Sequence, residues 1–367
     1  MSQRRAVRRR IVLATVLGSV VAYAGTVSAA SMPAPAAPLS GIVPSLTRTA
    51  GKPAPKPKPK ATPAVKLLWR QEFNDKAGRS AAVQRESLTP AAGQVWQAEI
   101  SGAGGGNRER QFYTDGPVEY TSRGSVAHYA VELDGKGNLA INARRVLPRK
   151  GARPSNAPEG ACWYGACEFV SGRINTRGTV GFKYGLLEAR IKVPNAWNSW
   201  PAFWMLGANI GEVDWPACGE IDIMESAANG AKYWTYFGTL HSLPDDGFGV
   251  GSGARYLEDL YTKFHVFGVY WDKTKVQWRI DGKPYFTATK KSVTGSDWLV
   301  GGVPRSWPFD QEMFAILNVA MGGTLGGDAG GYTEPDSTGG TMLVDWVRFS
   351  SVNGIGRVVK HSTAAGK

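Results

Sequence analysis

The sequence predicts an all-β fold, a sandwich or jelly roll of antiparallel sheets, and three observations support it. Residues 185–193 place apolar side chains at every second position, which is the period of a half-buried strand. Residues 264–289 contain three strand-like segments, with an Asp-Gly hairpin signal between the last two. Residues 315–321 and 342–349 add two apolar strands. Glycine clusters interrupt the chain, and no segment carries a sustained helical stripe.

Residues 1–29 are predicted to be an export signal. Five arginines precede an apolar run over positions 11–24, and Val-Ser-Ala at 27–29 matches a small-residue cleavage site. The run is too short to span a bilayer, so we expect a signal peptide. The paired arginines point to twin-arginine export as one route. We therefore expect a secreted, extracellular protein without a membrane association in its mature form.

Residues 30–65 are predicted to be an extended linker, because Pro, Ala, Lys and Thr dominate and proline blocks helix and sheet. Adhesion of this basic segment to an anionic cell wall is an alternative to a plain spacer. The folded domain is expected over residues 66–350, a length that large all-β sandwiches reach. Residues 351–367 are expected to be a short polar tail.

The formal net charge of +13 is concentrated outside the predicted domain. Residues 1–65 carry ten basic residues and no acidic one, which leaves +3 for residues 66–367. A groove for phosphates requires a larger local excess of basic residues. The charge distribution therefore argues against a nucleic-acid partner.

The three cysteines fall into two groups. Cys162 and Cys167 flank a short loop, and an exported protein meets an oxidising environment, so this pair is a candidate disulfide. Cys218 is left over and is expected to be a buried thiol. No Cys/His spacing resembles a zinc site.

The segment 219–225 (GEIDIME) carries three carboxylates. Alternation puts Glu220 and Asp222 on one face of a strand, but it would put Glu225 on the opposite, apolar face. One extra residue, a β-bulge at Ile223–Met224, returns Glu225 to the acidic face. We therefore predict a bulged strand that presents all three carboxylates together.

Paired glutamates in this arrangement suit glycoside hydrolysis. Glu220 and Glu225 lie about 13 Å apart along the backbone, and on a concave sheet their tips can converge to about 5 Å, the separation in retaining glycosidases. Asp222 can then hydrogen-bond the nucleophile, and the negative neighbours favour one protonated glutamate near neutral pH. A solvated acidic edge or a calcium site is the alternative interpretation.

Tryptophans flank this segment. Trp200, Trp204 and Trp215 are candidate platforms for the C–H faces of sugars, and Phe203 and Met205 are expected to be core residues. For Trp200 and Trp204 a place in the core is an equally good interpretation.

Several ordered motifs resemble glycoside hydrolase family 16, most closely its laminarinase-like branch. The strongest are residues 200–207 (WPAFWMLG) and 219–225 (GEIDIME), the second in the bulged form. The resemblance extends over most of residues 68–349. Further motifs that support it are NRERQFYT at 107–114, SGRINT at 171–176, GTLH at 238–241, NVAMGG at 318–323 and VDWV at 344–347.

The resemblance implies a β-jelly roll of two curved sheets, with an open concave cleft for a polysaccharide chain. It implies Glu220 as the nucleophile, Asp222 as its helper and Glu225 as the acid/base. It also implies His241 as a polar partner near the carboxylates. Asn107 and Arg173 match positions that line the sugar-donor side in the family.

The resemblance implies no cofactor for catalysis, but many members hold a structural calcium ion. The matching ligands here are Glu72, the backbone carbonyl of Gly137, and Asp345, although both acids could be ordinary strand-edge residues. Leu186 replaces an expected basic residue, and Ser226 replaces a bulkier one. Both departures bear on substrate preference.

The function expected from these features is endo-hydrolysis of β-1,3-glucan by a monomer, with mixed β-1,3/1,4-glucan as a candidate further substrate. A transglycosylase and a hydrolase of another β-linked polysaccharide, such as agar or carrageenan, are alternatives. The nearly neutral domain argues against a strongly sulfated substrate. A non-catalytic carbohydrate-binding protein on the same scaffold is the third alternative, and the three intact acids argue against it.

Overall fold

The computed structural model describes residues 62–73, 95–120, 126–146, 161–228, 234–327 and 339–361. All of them belong to the unit that begins at residue 61. The predicted signal peptide and nearly all of the predicted linker lie outside the described residues. Among the helices of the described ranges, none has the length and apolar character needed to cross a membrane.

Strands dominate the described part of the chain. The first eleven are β1 (Val65–Glu72), β2 (Gln97–Ala98), β3 (Gln111–Tyr113), β4 (Pro117–Tyr120), β5 (Val126–Tyr129), β6 (Val131–Leu133), β7 (Leu139–Arg145), β8 (Phe169–Ser171), β9 (Arg173–Asn175), β10 (Val180–Lys183) and β11 (Gly185–Lys192). The remaining strands are β12 (Ser199–Gly207), β13 (Glu220–Ser226), β14 (Thr235–His241), β15 (Val250–Gly251), β16 (Arg255–Tyr256), β17 (His265–Trp271), β18 (Lys275–Ile280), β19 (Lys283–Thr289), β20 (Met313–Met321), β21 (Gly339–Val352) and β22 (Arg357–Lys360). The helices are one turn long: α1 (Ile210–Val213), α2 (Lys290–Val293), α3 (Gly323–Gly326) and a 3-10 turn at Gly104–Gly106.

Two ten-stranded sheets form the predicted jelly-roll sandwich. The outer sheet has the order β19-β18-β17-β11-β21-β7-β8-β3, with β1 paired to β21 and β6 to β7. The second sheet contains the carboxylate strand β13 and is called the cleft sheet. Its order is β15-β14-β13-β12-β20-β10-β22, with β16 paired to β14, β9 to β20 and β2 to β9. Pairing is antiparallel except between β3 and β8. The predicted all-β fold is confirmed.

The strands predicted from alternation lie where the pattern placed them. In β11 the residues Leu187, Ala189 and Ile191 are fully buried, and the polar residues between them are partly exposed. The predicted three-strand meander is β17-β18-β19, paired in sequence order. Both long apolar segments are strands: β20 begins two residues before its predicted start, and β21 extends beyond both of its predicted ends.

The core lies between the two sheets, and it ties the outer sheet to the carboxylate strand. Trp278 of β18 is fully buried, and its Nε1 donates to the backbone carbonyl of Asp222 at 2.7 Å. A Cβ on Gly238 would lie 2.2 Å from the Trp278 ring, so only glycine fits at that position. The backbone of β13 is therefore fixed from the core side, opposite its carboxylates.

The end of the domain differs from the prediction. Residues 351–367 were expected to be a polar tail, but β21 runs to Val352 and a turn leads into β22, which pairs with β10 of the other sheet. The segment Arg357–Lys360 has only two apolar residues, which is too weak a local signal for a strand. It becomes a strand because β10 offers it an unpaired edge.

Candidate active site

The carboxylate strand carries the predicted bulge. Asp222 pairs with Thr239 and Glu225 with Phe237, so three steps along β13 match two steps along β14. The same extra residue appears against β12, where the register shifts between Phe203 and Trp204. Ile223 and Met224, at the bulge, are both fully buried. The bulge therefore returns Glu225 to the face that carries Glu220 and Asp222, and all three acids line one cleft.

Each glutamate accepts a hydrogen bond from a tryptophan. Trp200 Nε1 donates to Glu225 Oε1 at 2.8 Å, and Trp215 Nε1 donates to Glu220 Oε2 at 3.0 Å. Trp200 is almost fully buried, whereas Trp215 is half-exposed at the end of the cleft. The two indoles fix the orientation of the carboxyl groups, which the strand backbone alone does not determine.

His241 lies at the Glu220 end of the acid row, beside Trp215. It pairs with Glu220 across β13 and β14, and its Nε2 lies 3.5 Å from Asp222 Oδ2. Its Nδ1 lies 2.9 Å from Asp245 Oδ2. Asp245 in turn accepts from the backbone N–H of Gly247 at 2.6 Å and lies 3.8 Å from the buried guanidinium of Arg305. The imidazole is thus held between two carboxylates.

The acids have different proton affinities. Burial raises the pKa of Glu225 to about 7, the negative charge of Glu220 adds to the rise, and the Trp200 hydrogen bond opposes it. Burial also raises the pKa of Glu220, but His241, a hydrogen bond from Asp222 and Trp215 all act to lower it. Glu225 is therefore suited to carry a proton at neutral pH.

Asp222 is the most strongly perturbed of the three acids. Burial and the charges of Glu220 and Glu225 raise its pKa well above the usual range for aspartate. A protonated Asp222 donates to Glu220 and stabilises the ionised form of that glutamate. For His241, burial favours the neutral ring, but Asp245 and the glutamates outweigh it and raise the pKa.

The cleft continues along β12 and β20 towards β9. Trp200 and Trp204 both line the cleft, while Phe203 and Met205, the neighbours of Trp204, are fully buried, as predicted. Trp204 Nε1 donates to Asn318 Oδ1 at 2.7 Å, and the Asn318 amide donates to the Tyr113 hydroxyl at 3.0 Å. Both tryptophans thus line the cleft, and at the same time Trp200 is almost fully buried and Trp204 packs against a small apolar cluster.

Asn107 and Arg173 line the same cleft, whose volume is about 440 Å³. The Arg173 guanidinium lies 4.8 Å above the Trp204 ring, and its Nε lies 2.9 Å from Glu99 Oε2. Asn107 follows the turn at Gly104–Gly106, and its carbonyl accepts from the N–H of Thr324. Eight of the nine predicted catalytic and substrate-binding residues thus line this cleft, and the ninth, His241, lies beside Asp222.

A buried network supports this wall of the cleft. Glu109 accepts hydrogen bonds from Gln111 Nε2 at 2.6 Å and from the Tyr113 hydroxyl at 3.1 Å. Burial raises the pKa of Glu109. The hydrogen bonds link Glu109 through Tyr113 and Asn318 to the Trp204 indole. The network fixes the orientation of the Trp204 ring.

Sequence reasoning missed the residues that hold the site together. Asp245, Arg305, Glu109, Tyr113 and Asn318 were not assigned roles. Asn318 offered a signal, because an amide inside the apolar run 315–321 needs a partner once it is buried. Asp245 offered none, since its partnership with His241 depends on how the chain turns after β14.

Two groups of residues are candidates for holding a metal ion. Glu220, Asp222 and His241 hold possible ligand atoms within 4.8 Å of one another. Calcium takes six to eight oxygen ligands, however, and a protonated aspartate beside an imidazole does not supply them. This cluster does not fit calcium.

The backbones of the three predicted calcium ligands lie close together, but their side chains do not point to a common site. The first residue of β7, Leu139, pairs with Val344 of β21, and the last residue of β1, Glu72, pairs with Trp346. Gly137, just before β7, therefore lies near Glu72 and Asp345 where the two pairings adjoin. The side chains are engaged elsewhere. Arg348 binds both oxygens of Glu72 at 2.8 and 3.1 Å, and Arg190 Nη1 lies 2.5 Å from Asp345 Oδ2. Both carboxylates are paired with arginines here, and calcium binding stays a prediction.

A disulfide lies beside the cleft. Cys162 and Cys167 are bonded, as predicted, and Cys218 is a buried free thiol. In the bonded loop, Trp163 donates from its backbone N–H to the Gly102 carbonyl and from Nε1 to the Glu109 carbonyl. The disulfide loop therefore braces the segment that ends at Asn107.

Comparison with known proteins points to one family. Residues 124–348 match the family described as glycosyl hydrolases family 16. The chain is 32% identical over 256 residues to a beta-glucanase of Rhodothermus marinus, covering 68% of this chain and 76% of that one. It is 34% identical over 250 residues to a glucan endo-1,3-beta-glucosidase of Cryptopygus antarcticus, covering 67% and 82%. The laminarinase catalytic domain of Thermotoga maritima is similar in structure, with a TM-score of 0.59, 31% identity and coverage of 78% and 98%. Together with the acid strand and its cleft, these matches show that the chain belongs to glycosyl hydrolases family 16.

Proposed function

We propose that this protein hydrolyses internal β-1,3-glucosidic bonds of a laminarin-type glucan with net retention of configuration. The observation that carries the proposal is the difference in proton affinity between two acids on one bulged strand. Glu225 has its pKa raised to about 7, and Glu220 is surrounded by three groups that favour its ionised form. This is the pair of protonation states that double displacement requires.

In the first step, Glu220 attacks the anomeric carbon and the glycosidic C–O bond breaks. Glu225 gives its proton to the departing oxygen, so the leaving chain departs as a neutral alcohol. Asp222 and Trp215 hold the Glu220 carboxylate by hydrogen bonds, and a protonated His241 balances the negative charge of the acid row.

In the second step, the ionised Glu225 takes a proton from water as the water oxygen attacks the anomeric carbon. The bond between that carbon and Glu220 breaks, and Glu220 regains its charge. Two displacements on opposite faces of the sugar give net retention. Trp200 keeps Glu225 in place throughout, because its N–H can bond the carboxyl group in either protonation state.

The proposed substrate rests on the cleft and on the relatives. Residues of β9, β20, β12 and β13 line one continuous cleft, which suits a chain rather than a single sugar end. Several relatives are named as glucan endo-1,3-beta-glucosidases or laminarinases, others as endo-1,3-1,4-beta-glycanases, and one as a keratan-sulfate endo-1,4-beta-galactosidase. Mixed β-1,3/1,4-glucan is proposed as a second substrate.

Product analysis on laminarin, mixed-linkage β-glucan, agarose and xyloglucan tests this function, with the Glu220→Gln variant as the blank. We expect release of β-1,3-linked oligosaccharides from laminarin, absent from the variant. Activity on agarose or xyloglucan alone would retain the mechanism and overturn the substrate. Silence on every substrate, with retained binding to laminarin, would support the carbohydrate-binding alternative instead.

We propose further that the protein is exported and acts as a monomer outside the cell. The Cys162–Cys167 bond supports export, because disulfides persist in oxidising compartments. Sequencing the N-terminus of secreted protein tests the cleavage after residue 29, and light scattering tests the monomer.

We also propose a structural calcium ion at the strand junction, with Glu72, the Gly137 carbonyl and Asp345 as its ligands. The arginine partners of Glu72 and Asp345 argue against it. Equal melting temperatures in the presence of calcium and of EDTA would contradict calcium binding.

A further inference from the structure

The cleft sheet extends beyond the catalytic strand, on the side away from Trp204 and Arg173. The order from one side to the other is β9, β20, β12, β13 and β14, with β15 and β16 both paired to β14. The candidate sugar-binding residues from the strands up to β12 all lie on one side of the acid row. A chain that crosses the acid strand must also pass over β14 and its partners.

The side chains of β14 alternate between the core and the cleft face. Tyr236 and Leu240 belong to the buried core. Phe237, Thr239 and His241 therefore share the opposite face, which is the face of the catalytic acids. Phe237 is paired directly with Glu225 and is only partly buried. An aromatic ring thus lies next to the acid on the far side from Trp204.

A second ring lies on the neighbouring edge strand. Tyr256 of β16 pairs with Thr235, which shares the cleft face of Phe237, and residues paired across strands point to the same face. The preceding residue, Arg255, pairs with the core residue Tyr236, so alternation along β16 places Tyr256 on the cleft face. Its side chain is 69% exposed, which is unusual for a tyrosine ring on a sheet.

The surface of the sheet beside these two rings is not covered by other side chains at Gly251 and Gly253. Gly251 pairs with Thr239 on the cleft face, and a Cβ added there would meet its first neighbours only at 3.7 Å. A Cβ on Gly253 would meet nothing within 4 Å. Neither glycine is required there for close packing, and their small size leaves room above the sheet next to Phe237 and Tyr256.

We propose that Phe237 and Tyr256 form a second aromatic binding subsite, which takes a β-linked glucosyl unit on the opposite side of the scissile bond from Trp204. The inference rests on the proposed hydrolysis of a β-glucan chain. Aromatic rings bind the apolar faces of pyranoses by stacking, and strands about 4.8 Å apart suit successive sugar rings along a chain that crosses them. This subsite helps to determine which internal bond lies at the acids.

The test is the cleavage pattern of end-labelled β-1,3-linked gluco-hexaose in the wild type and three variants. Tyr256→Ala is expected to lower kcat/KM about fivefold and to move the preferred cleavage site along the chain. Trp204→Leu is expected to move it towards the opposite end, because the two rings lie on opposite sides of the bond. Tyr256→Phe keeps the ring and should retain the wild-type pattern.

An unchanged pattern in Tyr256→Ala would overturn the inference, and so would a shift in the same direction as that of Trp204→Leu. A wild type inactive on both laminarin and the hexaose would instead overturn the proposed function. The two failures are therefore distinguishable.

Discussion

Asp245 Oδ2 lies 2.9 Å from His241 Nδ1, which fixes the imidazole so that its other nitrogen faces the catalytic carboxylates. The aspartate is itself held by the N–H of Gly247, and Arg305 lies close to it. Its pKa is low despite partial burial, because His241 and this N–H favour the ionised form. The negative charge of Asp245 therefore supports the positive charge of His241 beside Glu220.

The first prediction concerns this pair. Asp245→Asn removes a charge that raises the pKa of His241, so the ring loses its proton at lower pH. With less positive charge beside it, Glu220 should have a higher pKa, and the acidic limb of kcat/KM against pH should move up by about one unit. The control is Asp246→Asn, since Asp246 pairs with Arg305 and not with His241. Equal shifts in both variants would contradict the prediction.

The second prediction concerns the alkaline limb. Activity should fall as the pH rises through the pKa of Glu225, about 7, because the acid must be protonated to assist the leaving group. Trp200→Phe removes the N–H that stabilises the carboxylate form, so the limb should move about one unit higher. Trp204→Phe is the matched control, because its indole bonds Asn318. A limb that stays in place in both variants would exclude Trp200 from this role.

The third prediction separates the two glutamates by rescue with azide. In Glu220→Ala, azide should take the place of the nucleophile and give an α-glycosyl azide from an activated substrate. In Glu225→Ala, azide should attack the glycosyl-enzyme from the other face and give the β-glycosyl azide. Without azide, Glu225→Ala should lose about 10² to 10⁴ in rate on unactivated glucan. The anomeric configuration is read by NMR, and reversed products would exchange the two roles.

The fourth prediction concerns stability. The folded-state pKa of Glu225 lies above its ordinary value, so its contribution to stability is complete below about pH 4.5 and is lost as the pH rises through about 7. Glu225→Gln should therefore be more stable than the wild type at pH 8, by at most about 3 kcal/mol, or several degrees in melting temperature. The advantage should vanish near pH 4. The exposed Glu212, changed to Gln, should show no such dependence on pH.

The fifth prediction concerns the disulfide beside the cleft. Replacing Cys162 and Cys167 by serine should cost about 2 kcal/mol of stability, the loop-closure value for so short a loop. The loop braces the segment before Asn107, so KM for laminarin should rise more than kcat falls. A reducing agent should reproduce the effect in the wild type and add nothing to the variant. An unchanged KM would separate the loop from substrate binding.

Local patterns in the sequence determined the strands and the acid row. Apolar residues at every second position of β11 required a half-buried strand, and the structure has one. The charge of Glu225 at an apolar position required a bulge, because a carboxylate cannot be buried against isoleucines without a partner. Such inferences need only neighbours in the chain, and their physical basis is the fixed period of a strand.

Only the tertiary structure decided the residues' partners. Trp204, Asn318 and the pair Tyr113 and Glu109 come from three distant segments, and their hydrogen bonds depend on the register between β12 and β20. Likewise, β22 is a strand only because β10 has a free edge. The sequence by itself determined which side chains face the cleft in β13, since that follows from local geometry. The structure decided what each of them touches, since long-range pairing brings together residues that carry no local signal of one another.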